Sequence, residues 1–236
     1  MTLARVDVGA PAVRMVGDVE FLEYPSTFPV ERRPVYFWDA SPRIMVDHRM
    51  SMVDERIWIS RIDAIIRSRA QELGRCGIIQ SVSYSRARRI MQMSRFADRM
   101  IWHDDSSGSE RAIEEFKAQA GKGAVLISPS MTMGVNFPDS TCRWILWPKM
   151  PYPDMRSPVM QRRAKLDKRY AGSLMMKALQ QGCGRGNRHA GDWSESIIID
   201  GHAKRWLWEY QEFLSGYFRQ ALRTTLVMPQ PLDIAA

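Results

Sequence analysis

Four short apolar runs constrain this chain most: "GIIQSV" at 77–82, "GAVLIS" at 123–128, "RWILWP" at 143–148 and "SIIID" at 196–200. None of them alternates apolar with polar residues, so each has to be covered on both sides. Runs of that kind belong to a mostly parallel sheet, whose crossover connections lay helices against both faces. The intervening segments fit. Between Met52 and Leu73 the apolar residues Trp58, Ile59, Ile62, Ile65, Ile66 and Leu73 recur at helical spacing, and Gly74 and Gly77 end the stripe. Ser83 is placed to cap a helix over "SYSRARRIMQMSRF", a further helix spans Ser109 to Ala120, and a helical region runs from about Met155 to Gln181. "RMIWH" (99–103) and Val35–Trp38 read as two more strands. Tyr210, Phe213, Leu214, Tyr217, Phe218 and Ala221 predict one continuous tail helix whose aromatic face is core packing. Prolines at 11, 25, 29, 34 and 42 make residues 1–50 an extended lead-in with the first strand, and residues 51–236 the α/β domain.

The totals narrow the partners. A chain of 236 residues, 45% hydrophobic, can bury one large core. Its 34 Lys and Arg against 26 Asp and Glu give a formal charge of +8 and a pI near 9.7, which favours an anionic partner, nucleic acid first. Cys76, Cys142 and Cys183 are far apart and form no C-x-x-C pair, which argues against zinc, an iron–sulfur cluster or a disulfide scaffold and for a reducing compartment. Neither a membrane-length apolar run nor a signal-peptide core is present, so the expected location is cytoplasmic, with no membrane partner. The histidines show no metal-ligand spacing.

The chemistry concentrates in "QGCGRGNR", Gln181 to Arg188. Guanidinium is a planar fork of donors that matches phosphate oxygens and stays charged at neutral pH. Arg185 and Arg188 at i and i+3 face one way on a helical turn, and Gly182, Gly184 and Gly186 leave the backbone open to a ligand. By itself the same stretch reads more readily as a solvated basic turn closing a helix. In a parallel sheet, sites gather beyond the carboxyl ends of the strands, and that is where these motifs are expected.

The order of motifs supplies context. "GIIQSVSYSRAR", then "VLISPSMTMGVNFPDSTCRWILWPKMPYPD", then "QQGCGRGNR" before "SIIID" resembles the C-terminal motor domain of superfamily 2 helicases, most closely the XPD/DinG-type branch, from about Ser26 to Phe218. The resemblance implies a RecA-like α/β fold and these roles. Gln181 would sit near the γ-phosphate or the attacking water, while Arg185 and Arg188 would be arginine fingers. Gly134, Asn136 and Gly184 would approach the nucleotide. Met133 and Asn136 stand where that branch has glutamate and aspartate, and an amide cannot act as an ionised acceptor. Asp200 would orient its surroundings. Ser83, Tyr84, Arg86, Ser128, Ser130 and Thr132 would contact single-stranded nucleic acid, DNA before RNA. Arg162 and Lys165 in "QRRAKLDKR" would extend that track, or else lie on a solvated helix face.

A helicase motor also needs a phosphate loop, G-x-x-x-x-G-K-[ST]. "AGKGAV" (120–125) has Gly123 where the hydroxyl belongs and is preceded by Phe116 where the first glycine belongs; Asp54–Glu55 lies in a helix rather than at a strand end. ATP and Mg²⁺ would thus be held mainly by a separate N-terminal lobe, in cis or in trans, and any iron–sulfur cysteines would belong to that lobe. Three readings follow. The chain is the finger-bearing half of an ATP-dependent helicase, a non-hydrolysing single-strand binding module, or an activator lending its arginines to another ATPase.

Overall fold

The computed structural model describes residues 12–16, 19–24, 26–129 and 135–234. Seven parallel strands form its sheet: β3 (Val35–Trp38), β4 (Gly77–Gln80), β5 (Met100–Trp102), β6 (Val125–Ser128), β7 (Trp144–Trp147), β8 (Glu195–Ile198) and β9 (Leu222–Thr225), in the order β5-β6-β4-β7-β8-β3-β9. A separate antiparallel hairpin, β1 (Ala12–Val16) with β2 (Val19–Glu23), precedes them. The four apolar runs are β4, β6, β7 and β8, and every residue in them is buried. Alternate side chains serve opposite faces. Ile78, Leu126, Ile145 and Ile198 pack on one side with α3 (Ser109–Lys117), α5 (Tyr170–Cys183), α6 (Ala203–Glu209) and α7 (Gly216–Ala221). Ile79, Ile127, Leu146 and Ile197 pack on the other with α1 (Met52–Ile66) and α2 (Tyr84–Met93). This is the RecA-like α/β architecture.

Local signals place the helix starts. Ser51 and Asp54 form a reciprocal capping box at α1, with Ser51 Oγ accepting from Asp54 N at 3.1 Å. Ser83 Oγ accepts from Arg86 N at 3.3 Å and caps α2. After α1 the chain continues through a π-helical turn, Arg67–Glu72, and stops at Gly74, whose φ is +64°. Arg69 of that turn is fully buried and makes a two-pronged ion pair with Glu195 of β8, at 3.0 and 3.1 Å. "AGKG" is a tight turn between α3 and β6. A Cβ on Gly123 (φ +72°) would stand 2.3 Å from the carbonyl oxygen of Ala70. Asp54 is consumed by the capping box, and Glu55 pairs with Arg89 of α2 at 2.5 Å.

One expectation is corrected. The tail is not one helix: α6 ends at Glu209, Gln211–Phe213 form a 3-10 turn, Leu214 is extended, and α7 starts at Gly216. Gln180 holds the interrupted segment, its Oε1 accepting from both N and Oγ of Ser215 at 2.8 Å. Leu214, Phe218 and Ala221 are buried and Tyr210 and Phe213 partly so, whereas Tyr217 is exposed, so the aromatic face is core packing only in part. The lead-in supplies β3 to the sheet. β3 lies between β8 and β9, so a division at residue 50 is one of chain and not of sheet.

Candidate nucleotide and nucleic-acid faces

The chemistry-bearing residues fall on two opposite edges of the sheet. Ser83, Tyr84 and Arg86 follow the carboxyl end of β4, Ser128 ends β6, and Asp200 lies just beyond β8. The arginine turn lies instead at the amino ends, which corrects the expectation that it would share the carboxyl edge. α5 runs back across the sheet, so its C-terminus delivers Gly184–Arg188 beside the residues that enter β3, β7 and β8. Asn187 Nδ2 donates to the Arg32 carbonyl at 3.1 Å, and its Oδ1 accepts from Ser194 Oγ at 2.7 Å.

On that amino edge the glycines have unequal tasks. A Cβ on Gly182 would come within 2.2 Å of the Trp147 ring, and one on Gly186 within 2.5 Å of Ser194 Oγ. Both are there for close packing. Gly184 alone of the three faces open space, with nothing within 4 Å of an added Cβ. Arg185 donates from Nη1 to the Val135 carbonyl at 3.0 Å, and Arg188 donates from Nε to the Arg185 carbonyl at 3.2 Å. Arg188 Nη2 is buried without a hydrogen-bond partner among the described residues. Burial lowers the pKa of both guanidiniums; their mutual repulsion lowers that of Arg185 further, while Asp192 opposes the shift in Arg188. Gln181 is exposed at the last turn of α5. Arg188, Gly184 and Asn187 border a cavity of about 480 Å³ whose other walls include Phe28, Arg33 and Tyr217.

Asp192 holds this turn and was not among the residues singled out from sequence. It is 1% exposed. Its Oδ2 accepts from Arg188 N (3.1 Å) and Asp139 N (3.3 Å), and its Oδ1 from Arg143 Nη1 (2.7 Å) and Trp193 N (2.8 Å). Arg143 in turn lies 4.7 Å from the Trp193 ring centroid, with Arg75 at 4.8 Å. An acid four residues after a pair of arginines was the available signal. Asp139, His189 and Asp192 converge closely enough to hold a cation, but both Asp192 oxygens are already engaged and His189 pairs with Asp139 at 3.1 Å. That set does not suit Mg²⁺. The open space at Gly184 and the unmatched Arg188 donor do suit a phosphate.

On the carboxyl edge Val82 has φ +68°, a strained conformation for a β-branched residue, immediately before Ser83. Ser83 and Tyr84 are half-exposed, and Tyr84 meets His103 edge-on at 5.6 Å. Arg86 is partly buried with its pKa lowered by burial, against which Asp200 and Asp47 act. Ser128 is fully buried, and His103 Nε2 lies 3.0 Å from its hydroxyl, so that side chain faces the interior rather than a ligand. Arg162 and Lys165 are exposed on α4 (Pro158–Leu166). Asp200 behaves as an orienter: it accepts from Met150 N at 2.8 Å and His202 N at 3.0 Å. Asn136 is exposed; Ser130, Thr132, Met133 and Gly134 lie outside the described residues. Among the described residues no helix is long and apolar enough to cross a membrane.

Known proteins share parts of this sequence and this fold. ATP-dependent DNA helicase CHL1 of Meyerozyma guilliermondii is 30% identical over 141 residues, 50% of this chain and 17% of that protein. ATP-dependent DNA helicase DDX11 of Danio rerio is 39% identical over 94 residues, 33% of this chain and 11% of that protein. The chain thus spans less than a fifth of the length of these relatives. Among solved structures, S. tokodaii Xpd4 superposes with a TM-score of 0.55 at 14% identity, covering 82% of this chain and 38% of that one. S. cerevisiae Dbp5 bound to RNA and ADP BeF3 does so with a TM-score of 0.52 at 11% identity, covering 86% and 44%. Residues 78–221 match the family described as helicase C-terminal domain, and the chain belongs to that family.

Proposed function

We propose that this chain is the C-terminal lobe of an ATP-dependent DNA helicase, lending Arg185 and Arg188 to the phosphates of an ATP gripped by an N-terminal lobe. The observation that carries the reading is the pair of half-buried, mutually repelling guanidiniums beside the open backbone of Gly184. A phosphate placed there would satisfy Arg188 Nη2 and relieve the repulsion. Gln181, exposed one turn earlier, is in position to reach the same phosphate or an attacking water. Mg²⁺ would come with the other lobe, since the acids near the turn are committed to holding it. The carboxyl edge, with Ser83, Tyr84 and Arg86 and the outlying Arg162 and Lys165, serves the single strand through phosphate contacts that do not read sequence.

Gly134 and Asn136, which match the coupling motif of the resembled branch, would link nucleotide state to strand grip. The decisive experiment mixes this chain with a phosphate-loop-bearing lobe of the same branch and measures DNA-stimulated ATP hydrolysis. Hydrolysis that needs both lobes and is lost in Arg188→Ala supports the reading. Strand binding without any ATP hydrolysis in the mixture would instead favour a non-hydrolysing binding module, consistent with Asn136 in place of an acid. Stimulation of an unrelated ATPase would favour an activator in trans.

A further inference from the structure

Beyond the carboxyl ends of β3 and β8 lies a feature that none of the motifs accounts for. The rings of His202 and Trp206 stack at 4.5 Å with an interplanar angle of 14°, and Trp206 stacks on Tyr152 at 5.5 Å and 27°. All three rings are partly exposed. His202 is held in place by Asp200, whose Oδ1 lies 3.0 Å from its Nδ1. His202 also lines a cavity of about 340 Å³ whose other walls are Arg43, Met45, Gly201, Lys204 and Arg205. Three cations border this space. Asp39 answers two of them, accepting from Arg43 Nε at 2.6 Å and from Lys204 Nζ at 3.0 Å, and Glu209 answers Arg205 at 3.3 Å. One positive charge is left over.

We propose that this is a subsite for one nucleotide unit of single-stranded DNA, its base laid on the His202–Trp206–Tyr152 stack and its phosphate drawn to Arg43, Lys204 and Arg205. The inference rests on the reading that the chain grips a single strand and says where one base is held. Aromatic rings beside a cationic groove are the means by which single strands are bound without sequence preference, since every base has a π-face. The position supports a strand rather than a free nucleotide. The stack stands on the same edge as Ser83, Tyr84 and Arg86, and between them lies Lys149, a half-buried amine whose pKa is lowered by burial and then by Arg86. A chain of phosphates crossing that edge would meet Arg86, Lys149 and then the cavity.

The test uses the full chain and two fluorescently labelled strands of equal length and charge, oligothymidylate and its abasic counterpart, titrated at several salt concentrations. Wild type is expected to bind oligothymidylate more tightly. His202→Ala should weaken that binding about 10-fold, within the range for loss of one base stack, while abasic binding stays unchanged; His202→Phe should restore it. Trp206→Phe, which keeps a ring where the indole packs on the core, should retain the preference for bases. Arg43→Ala with Arg205→Ala should weaken both strands and flatten the salt dependence. If wild type binds both strands and His202→Ala changes neither, the subsite is overturned while strand binding stands. If wild type binds neither strand, the strand-gripping reading fails and this inference with it. If free thymidine monophosphate competes as well as the strand at equal nucleotide concentration, the site belongs to a mononucleotide and the assignment to DNA is overturned.

Discussion

Arg185 donates from Nη1 to the carbonyl of Val135 at 3.0 Å, across fifty positions of sequence. Val135 belongs to the connection between β6, which ends at Ser128 on one edge of the sheet, and β7, which starts at Trp144 on the other. The arginine of the proposed phosphate site is therefore tied to the segment that starts at the proposed strand site. A phosphate that competes for the Arg185 guanidinium would weaken this bond, and strand affinity would then respond to nucleotide.

Arg188→Ala in a reconstituted two-lobe enzyme is expected to cut ATP turnover by about 10³-fold or more, the scale of a lost arginine finger. Arg188→Lys should recover little of it, because an ammonium lacks the planar fork. Steady-state hydrolysis at saturating ATP and DNA measures this, and near-normal turnover in either variant would remove the residue from the chemistry.

Much of the sheet was legible in the sequence because four uninterrupted apolar runs leave few other options. The runs are β4, β6, β7 and β8. The tail helix was misread for a physical reason. Its 3.6-residue period is real, but Gln180 takes the N–H of Ser215 into a side-chain bond, and a contact 35 residues distant leaves no local trace. β9 was missed because "LRTT" lies at the sheet edge with one face open and carries a single strongly apolar residue. The arginines themselves were visible as a motif. Their edge was not, since it depends on α5 running back across the sheet. Nor was the role of Asp192, whose partners Arg143 and Asp139 come from an earlier connection.

Asp192→Ala should be among the most destabilising single changes near the site. It removes a fully buried carboxylate that accepts four hydrogen bonds, and it leaves Arg143, 13% exposed, with only the distant Asp139 carboxylate at 3.9 Å. Breaking a buried pair in this way costs about 3–5 kcal/mol. Urea unfolding should show that loss as a lower midpoint with an unchanged slope. A change below about 1 kcal/mol, the range of exposed pairs, would mean that the turn is held by Asn187 and Ser194 alone.

Asp39 should give the acid limb of the stability profile a distinct component. Hydrogen bonds from Arg43 and then Lys204 hold its carboxyl below the ordinary carboxylate range. The folded protein therefore binds this proton less readily than the unfolded chain does. The stabilisation is complete above the unfolded value of about 4 and is lost as pH falls through the depressed folded value. Asp39→Asn should be less stable than wild type at neutral pH, and the two should converge as pH falls below about 4. Parallel curves, measured by urea unfolding across that range, would show that Asp39 contributes nothing through its charge.

The three glycines of "GCGRG" should respond differently to the same added methyl. Gly182→Ala drives a Cβ to 2.2 Å from the Trp147 ring, and Gly186→Ala to 2.5 Å from Ser194 Oγ with the Cys142 carbonyl at 3.0 Å. Overpacking of this kind costs about 1–3 kcal/mol, so both variants should unfold at lower temperature and urea concentration. Gly184→Ala meets no atom of the described residues within 4 Å, and the backbone there, at φ −78°, is ordinary for any residue. Its stability should stay within about 0.5 kcal/mol of wild type. Any change in the two-lobe enzyme then reports on what approaches from outside. We expect Gly184→Ala to raise the KM for ATP, because the methyl stands where a phosphate must come close to the turn. An unchanged KM in a fully stable Gly184→Ala variant would place the nucleotide away from this backbone and leave Arg185 and Arg188 to reach it by their side chains alone.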